Sequence, residues 1–237
     1  MIIPEYMGSD TESMEMLKSN WSSRSTREVL VRAIRDCFEL YLGATEYLAL
    51  AMLLYQPKTA EVIKQSKSEL FWVYSAESLF DSAALLAFNL FDKDKNIQFK
   101  NLTTLQKHIE LLPQGNTCKQ NWDLDPVFGI KSHVDRVANR RNKSIAHHER
   151  GGHNPVEWGD IAIMIEYTRI YLQKFYLTFM DIEYDFHSLY GRAEQLSSDV
   201  FDAVGVSSPR DKQLVLEQLS NFILTTNKTI LSKSLKF

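Results

Sequence analysis

Apolar residues recur along most of this chain at steps of three and four, the spacing of one face of a helix. From Leu30 the series runs Ile34, Cys37, Tyr41, Ala44, Leu48, Ala51 and Tyr55. It predicts one long helix, opened at Ser25 by a capping box with Glu28 and stopped by Pro57. Gly43 is the weak point inside it, because glycine costs a helix interior about 1 kcal/mol relative to alanine. A second long helix is expected from about Thr59 to Phe91. Its centre, LFWVYSAESLFDSAALLAFNLF, is apolar on most sides, which predicts a position inside a bundle.

The pattern continues in shorter and longer units. NLTTLQKHIELL predicts a short amphipathic helix closed by Pro113 and Gly115, with a loop over 113–124. Asp125 and Pro126 start another helix, expected to reach about Glu149 before Gly151 and Gly152 stop it. Asn154 as cap, Pro155 in the first turn and Glu157 closing the box open the last long helix. Its face runs through Trp158, Ile161, Ile165, Thr168, Leu172, Phe175, Phe179, Ile182, Phe186 and Leu189. The pattern weakens near Gly191; GVSSPRD then makes a connection and KQLVLEQLSNFILTT one more helix. Ser9 and Glu12 have capping-box spacing and suggest a short helix near the start. No stretch alternates at period two, so no sheet is predicted. The expected fold is all-α, an antiparallel bundle of about four long helices with additional short helices at both ends. Residues 1–24 read as an N-terminal extension, 25–190 as the bundle and 191–237 as a C-terminal helical extension.

Composition agrees with long helices, since only 9 glycines and 6 prolines punctuate 237 residues. The formal net charge of −3 argues against a generally basic nucleic-acid coat but leaves room for a local basic site. Residues 131–150 supply one, with six Lys and Arg against Asp135 and Glu149. Cys37 and Cys118 form no CxxC, which fits a reducing cytoplasm. The first residues lack the basic start and apolar run of a signal peptide. The longest apolar run, YLALAMLLY, is far short of the roughly 20 residues a membrane span needs, so no membrane partner is expected.

The basic segment contains RRNKSIAHHER, residues 140–150. Arg141 falls on the apolar stripe of Ile130, Val134, Val137, Ala138 and Ile145. A buried charge needs a partner, and Glu77, set between Val73 and Phe80 on an apolar face, is the candidate, with Asp81 one turn later. The plain alternative is an internal Arg141–Glu77 pair that fixes register, with His147 and His148 sitting where a helix C-terminus favours cations. A zinc site from His147, His148, Glu149 and His153 has the wrong spacing for HExxH, and neither metal nor cofactor is expected. There is no phosphate loop, no GxGxxG and no GxSxG.

The segment RNKSIAH resembles the signature of the HEPN superfamily: arginine, a polar residue, four more residues, then histidine, here Arg141, Asn142 and His147. The LFDKDKN…LTTLQKHIELL arrangement looks like the abortive-infection U-type branch, and the likeness covers about residues 25–190. The resemblance implies a metal-independent endoribonuclease of the toxin or phage-defence kind, with RNA as substrate. It also implies a two-fold homodimer whose motifs line one cleft, and an antitoxin as a further partner. Arg141 would then neutralise the scissile phosphate, His147 would act as acid or base at the ribose 2′-OH, and Asn142 would orient one of them. Arg140, which shares a face with Ser144 and His147, would be an auxiliary phosphate contact, with His148, Glu77 and Asp81 nearby. On an ideal helix Arg141 and His147 point about 120° apart, so either the helix distorts or a second chain completes the site. Position 149 holds Glu149 where one HEPN branch carries a tyrosine for adenylylation, so that regulation is not carried over. Some HEPN proteins are binding or scaffold modules, which keeps open a non-catalytic module for nucleotide, RNA or protein.

Overall fold

A computed structural model describes residues 24–92, 101–124, 129–141, 157–184 and 186–234. It is all-α, with no strand among the described residues. The first element, α1, spans Arg24–Tyr55 as one unbroken helix. Leu30, Ile34, Cys37, Tyr41, Ala44, Leu48 and Ala51 are all buried along it, so the sequence period marks the face that packs. By length and apolar content Leu30–Tyr55 is enough to cross a membrane, yet most of that stretch is buried inside the bundle.

The helix expected from Thr59 to Phe91 is two helices, α2 (Pro57–Gln65) and α3 (Glu69–Phe91). The break lies at Ser66-Lys67-Ser68, where the Ser66 hydroxyl donates to the Ile63 carbonyl at 2.8 Å and Ser66 turns extended. Serine side chains offer the backbone this alternative to the helical ladder. α3 runs antiparallel to α1: Gly43 faces Leu86, while Tyr55 lies near Glu77 and Asp81. Gly43 is a close-approach point, since a Cβ there would stand 2.8 Å from Leu86 Cδ1. The helix weakness read from sequence is therefore exchanged for closer packing of the two longest apolar faces.

Asn101 caps α4 (Leu102–Glu110) by accepting from the Thr104 N–H at 3.1 Å. The same side chain donates to the carbonyls of Asn89 and Asp92, tying α4 to the end of α3. A short α5 (Thr117–Gln120) sits inside the expected loop and buries Cys118. Next comes α6 (Lys131–Arg140); the expected start at Asp125-Pro126 and the stretch to Glu149 lie outside the described residues. So does the short helix expected near Ser9.

The last long helix departs most from expectation. α7 spans Trp158–Phe175, with Glu157 as its cap and Asp160 completing the box; Asn154 and Pro155 lie outside the described residues. A π turn follows over Tyr176–Met180, and Asp181 at φ 62° ends it in the left-handed region. The helix does not resume until Ser188, which is extended and caps α8 (Leu189–Val204) through the Gly191 N–H. The face through Ile182, Phe186 and Leu189 is therefore not one helix. Phe186 is still buried, folded back against Phe38, Tyr41 and Tyr176. Gly205 at φ 89° ends α8, and α9 spans Pro209–Ser234.

All these helices share one core. Ala193, Val200, Phe201, Val215, Leu219 and Ile223 belong to the same buried cluster as Leu30 and Phe91, and the boundary expected at 190–191 falls inside α8. The helix wrapped on every side is α7, where each residue from Asp160 to Thr168 is buried. α3, expected in that place, leaves Leu70, Phe71, Val73 and Tyr74 exposed.

Candidate functional site

Helix α6 is built from a narrow apolar stripe and a polar remainder. Ile130, Val134 and Val137 are buried, as the period predicts, and they fix which way the arginines around them point. His133, Arg136 and Arg140 follow at i, i+3 and i+7, along one edge of the helix. Two polar clusters hang from α6.

The first joins α6 to the N-terminus of α7. Asp160 is 3% exposed; Arg136 Nε donates to its two oxygens at 3.0 and 3.1 Å, and Arg136 Nη2 bonds Oδ1 as well. His133 Nδ1 stands 2.7 Å from Asp160 Oδ1, and the Glu157 N–H donates to Oδ2 at 3.0 Å. Burial alone would raise the Asp160 carboxyl's pKa. Hydrogen bonds from His133, Arg136 and the Glu157 backbone overcome it and hold the group well below the ordinary carboxylate range. Asp160 thus completes the capping box of one helix and anchors two side chains of another.

The second cluster joins the end of α6 to α3. Arg140 donates to Asp81 Oδ1 from Nε at 3.0 Å and from Nη2 at 2.6 Å, and its guanidinium lies 5.2 Å from the Phe80 ring centre. Phe80 in turn meets Trp158, which also meets Tyr55. Burial, then the Glu77 and Asp81 carboxylates, raise the Tyr55 hydroxyl's pKa, and Arg140 opposes them. Arg141 follows along α6 and reaches further down α3. It lies 5.0 Å from the Phe88 ring centre, with Nη1 3.6 Å from Asp92 Oδ2. Asp92 is 9% exposed and the Arg141 side chain 37%.

Two expectations are corrected here. Arg141 does not point into the core; its long side chain lies over Phe88 with the guanidinium near the surface. Its carboxylate neighbour is Asp92, not Glu77. Glu77 is exposed, and it precedes Phe88 by eleven residues, about 16 Å along the helix. Asp81, the other acidic residue considered for Arg141, pairs instead with the adjacent Arg140. Arg141 closes α6 as its C-cap, and the helix path expected beyond it lies outside the described residues. Asn142, His147, His148 and the zinc alternative with Glu149 and His153 lie outside the described residues. Among the described residues no group of three His, Cys, Asp or Glu could hold a metal.

Sequence reasoning missed the His133–Arg136–Asp160 cluster. Its signal was present in Glu157 and Asp160, an acidic residue three after a possible cap, but Asn154 and Pro155 offered a more conventional start. Asp92 was visible only as part of LFDKDKN.

Electrostatically, the end of α6 presents two adjacent guanidiniums near the surface, each paired with a carboxylate and lying against a phenylalanine ring. Asp81 occupies only the Nε–Nη2 edge of Arg140, out of the five N–H donors such a group carries. The chain matches no family model, no characterised protein and no solved structure to which it was compared.

Proposed function

We propose that this chain is a HEPN-type, metal-independent RNA endonuclease whose chemistry is carried by Arg141, Asn142 and His147. The observation that supports this most is the position of Arg141: the motif arginine stands at the accessible end of α6, held from below by Phe88 and Asp92. From there a guanidinium can meet a phosphate without a change of fold. RNA carries its own nucleophile, the 2′-OH beside each phosphate. In this mechanism His147 takes the 2′-OH proton, the alkoxide attacks phosphorus, and the 5′-oxygen leaves with a proton returned to it. Arg141, assisted by Arg140, offsets the negative charge gathering on the phosphoryl oxygens. Asn142 orients Arg141 or His147 by hydrogen bonding. A homodimer, and in the cell an antitoxin partner, belong to the same proposal.

The test is cleavage of total RNA by purified protein. Expected are products with 2′,3′-cyclic phosphate and 5′-hydroxyl ends, resistance of DNA, and full activity in EDTA. Arg141→Ala and His147→Ala should each lower the rate at least about 100-fold while circular dichroism stays unchanged. Activity that stops in EDTA, or full activity in His147→Ala, refutes the mechanism. A second reading is favoured by the pairing itself. Arg140 and Arg141 already have Asp81 and Asp92 as neighbours, as expected of a non-catalytic module whose arginines hold the fold. No cleavage together with nucleotide binding would select that reading.

A further inference from the structure

Four helices contribute to one patch beside the Arg140–Asp81 pair, and packing does not account for all of it. Tyr55 ends α1 with 44% of its surface exposed, and its ring stands edge to face with Trp158 at 5.1 Å. Trp158 packs on Phe80 at 4.4 Å, and the Arg140 guanidinium lies 5.2 Å from the Phe80 ring centre. A continuous row thus runs from an exposed ring, through a half-buried and a buried one, to a cation. Glu77 joins it from α3, three residues before Phe80 and four before Asp81, on the same side of that helix. It is exposed and has no ion pair among the described residues. After burial, the Glu77 and Asp81 carboxylates are what raise the Tyr55 hydroxyl's pKa, with Arg140 opposing them, so these charges all stand close to that ring.

Each group suits a different part of a nucleotide. An exposed aromatic ring is a platform for a base of single-stranded RNA. Trp158 holds Tyr55 in place, so little side-chain freedom is lost on stacking. Arg140 bonds Asp81 through its Nε–Nη2 edge and keeps other N–H donors for a phosphate. Glu77 is an acceptor only. Among the RNA bases, guanine alone presents two adjacent donors, N1–H and N2–H, on its Watson–Crick edge. Adenine and cytosine set one amino group beside a ring-nitrogen acceptor, and uracil flanks its N–H with two carbonyls. A carboxylate therefore takes guanine through two parallel hydrogen bonds and meets opposing lone pairs on the other three.

We infer that Tyr55, Glu77 and Arg140 form a guanosine subsite for single-stranded RNA: guanine stacks on Tyr55, its N1–H and N2–H donate to Glu77, and a phosphate of the same strand meets Arg140. The inference rests on the ribonuclease reading for RNA as the ligand, and it names the base that the site selects. Because Arg140 adjoins Arg141, the selected guanosine lies beside the phosphate that is cut. Asp81 and Phe80 are positioning residues for Arg140.

The test separates binding from cleavage. Fluorescein-labelled 2′-fluoro pentanucleotides, uridine throughout except for a central G, A, C or U, lack the 2′-OH and cannot be cut by this mechanism. Anisotropy titrations of the full chain should show the G strand binding roughly tenfold tighter than the other three. Glu77→Gln should bring the G strand down to the level of the others. Tyr55→Ala should weaken all four strands, and Tyr55→Phe should bind like wild type, since the ring and not the hydroxyl carries the stacking. Circular dichroism checks that each variant keeps its helix content; Glu77→Gln alters an exposed side chain and keeps the test decisive if Tyr55→Ala unfolds. Equal affinity for the four strands, no binding of any, or a G preference that survives Glu77→Gln overturns the proposal. Cleavage of the matching ribose strands without base preference overturns it too, while leaving the ribonuclease reading standing. Guanine-selective binding with no cleavage of the ribose strands supports the subsite and refutes the ribonuclease reading instead.

Discussion

Arginines on one edge of α6 live in two different worlds. Arg136 reaches toward the bundle, where Asp160 is buried and fully engaged by a histidine, a guanidinium and a backbone N–H. Arg140, one turn later, reaches an Asp81 whose side chain is 37% exposed, and Arg141 lies across a ring at the surface. The residue types are the same and the distances similar; solvent makes the difference. A carboxylate stripped of water cannot release its partner without leaving a buried charge unpaired, so the Asp160 cluster is fixed structure. A half-exposed pair exchanges partners at little cost, because water or an incoming anion replaces the lost contact. One end of α6 is therefore built for rigidity, and the other is able to bind.

The largest expected effect falls on the buried side. Asp160→Ala should cost about 3 kcal/mol in urea denaturation, because it removes one half of the capping box of α7 and takes the buried carboxylate away from Arg136 and His133. A loss below about 1 kcal/mol would mean that the cluster is not the rigid partner in this comparison.

Acid should reach the two sides in a set order. The folded-state pKa of Asp160 is depressed, so its contribution is fully present above the ordinary unfolded value near 3.9 and is lost only as pH falls through the lower folded value. Stability measured between pH 5 and pH 2 should therefore fall in wild type by a component that is missing from Asp160→Asn. Equal slopes in the two proteins would remove Asp160 from the acid response.

On the accessible side, Arg140→Ala should cost less than about 1 kcal/mol of stability. Its effect should appear in RNA binding instead, where the slope of log affinity against log salt should fall by about 1 for the lost phosphate contact. An unchanged slope with a large stability loss would make Arg140 as structural as Arg136. The smallest effect belongs to Glu77→Gln. This exposed carboxylate has no ion pair among the described residues, and the change should stay within about 0.5 kcal/mol in urea denaturation.

What the sequence determined by itself is the helical character and the faces that pack. The three-and-four spacing from Leu30 to Ala51 and of Ile130, Val134 and Val137 names residues that are buried, because a helix can bury only what falls on one stripe. RRNKSIAHHER was legible as a basic cluster for the same local reason. Tertiary structure decided everything that depends on competition between elements. Spacing cannot tell a continuous helix from one that turns back, so the π turn at Tyr176–Met180 and the left-handed Asp181 were invisible: Phe186 is buried on either path. Nor can hydropathy rank two apolar helices for the centre of a bundle. α7 holds that place with Asp160 and Glu166 inside it, since their charges are met by Arg136 and Arg169. The more uniformly apolar α3 is left with Leu70, Phe71 and Tyr74 in water. The partner of Arg141 was beyond reach for the same reason. Stripe position pointed to Glu77, but a guanidinium on a long flexible stem goes where a ring and a carboxylate lie within its reach, and packing put Phe88 and Asp92 there.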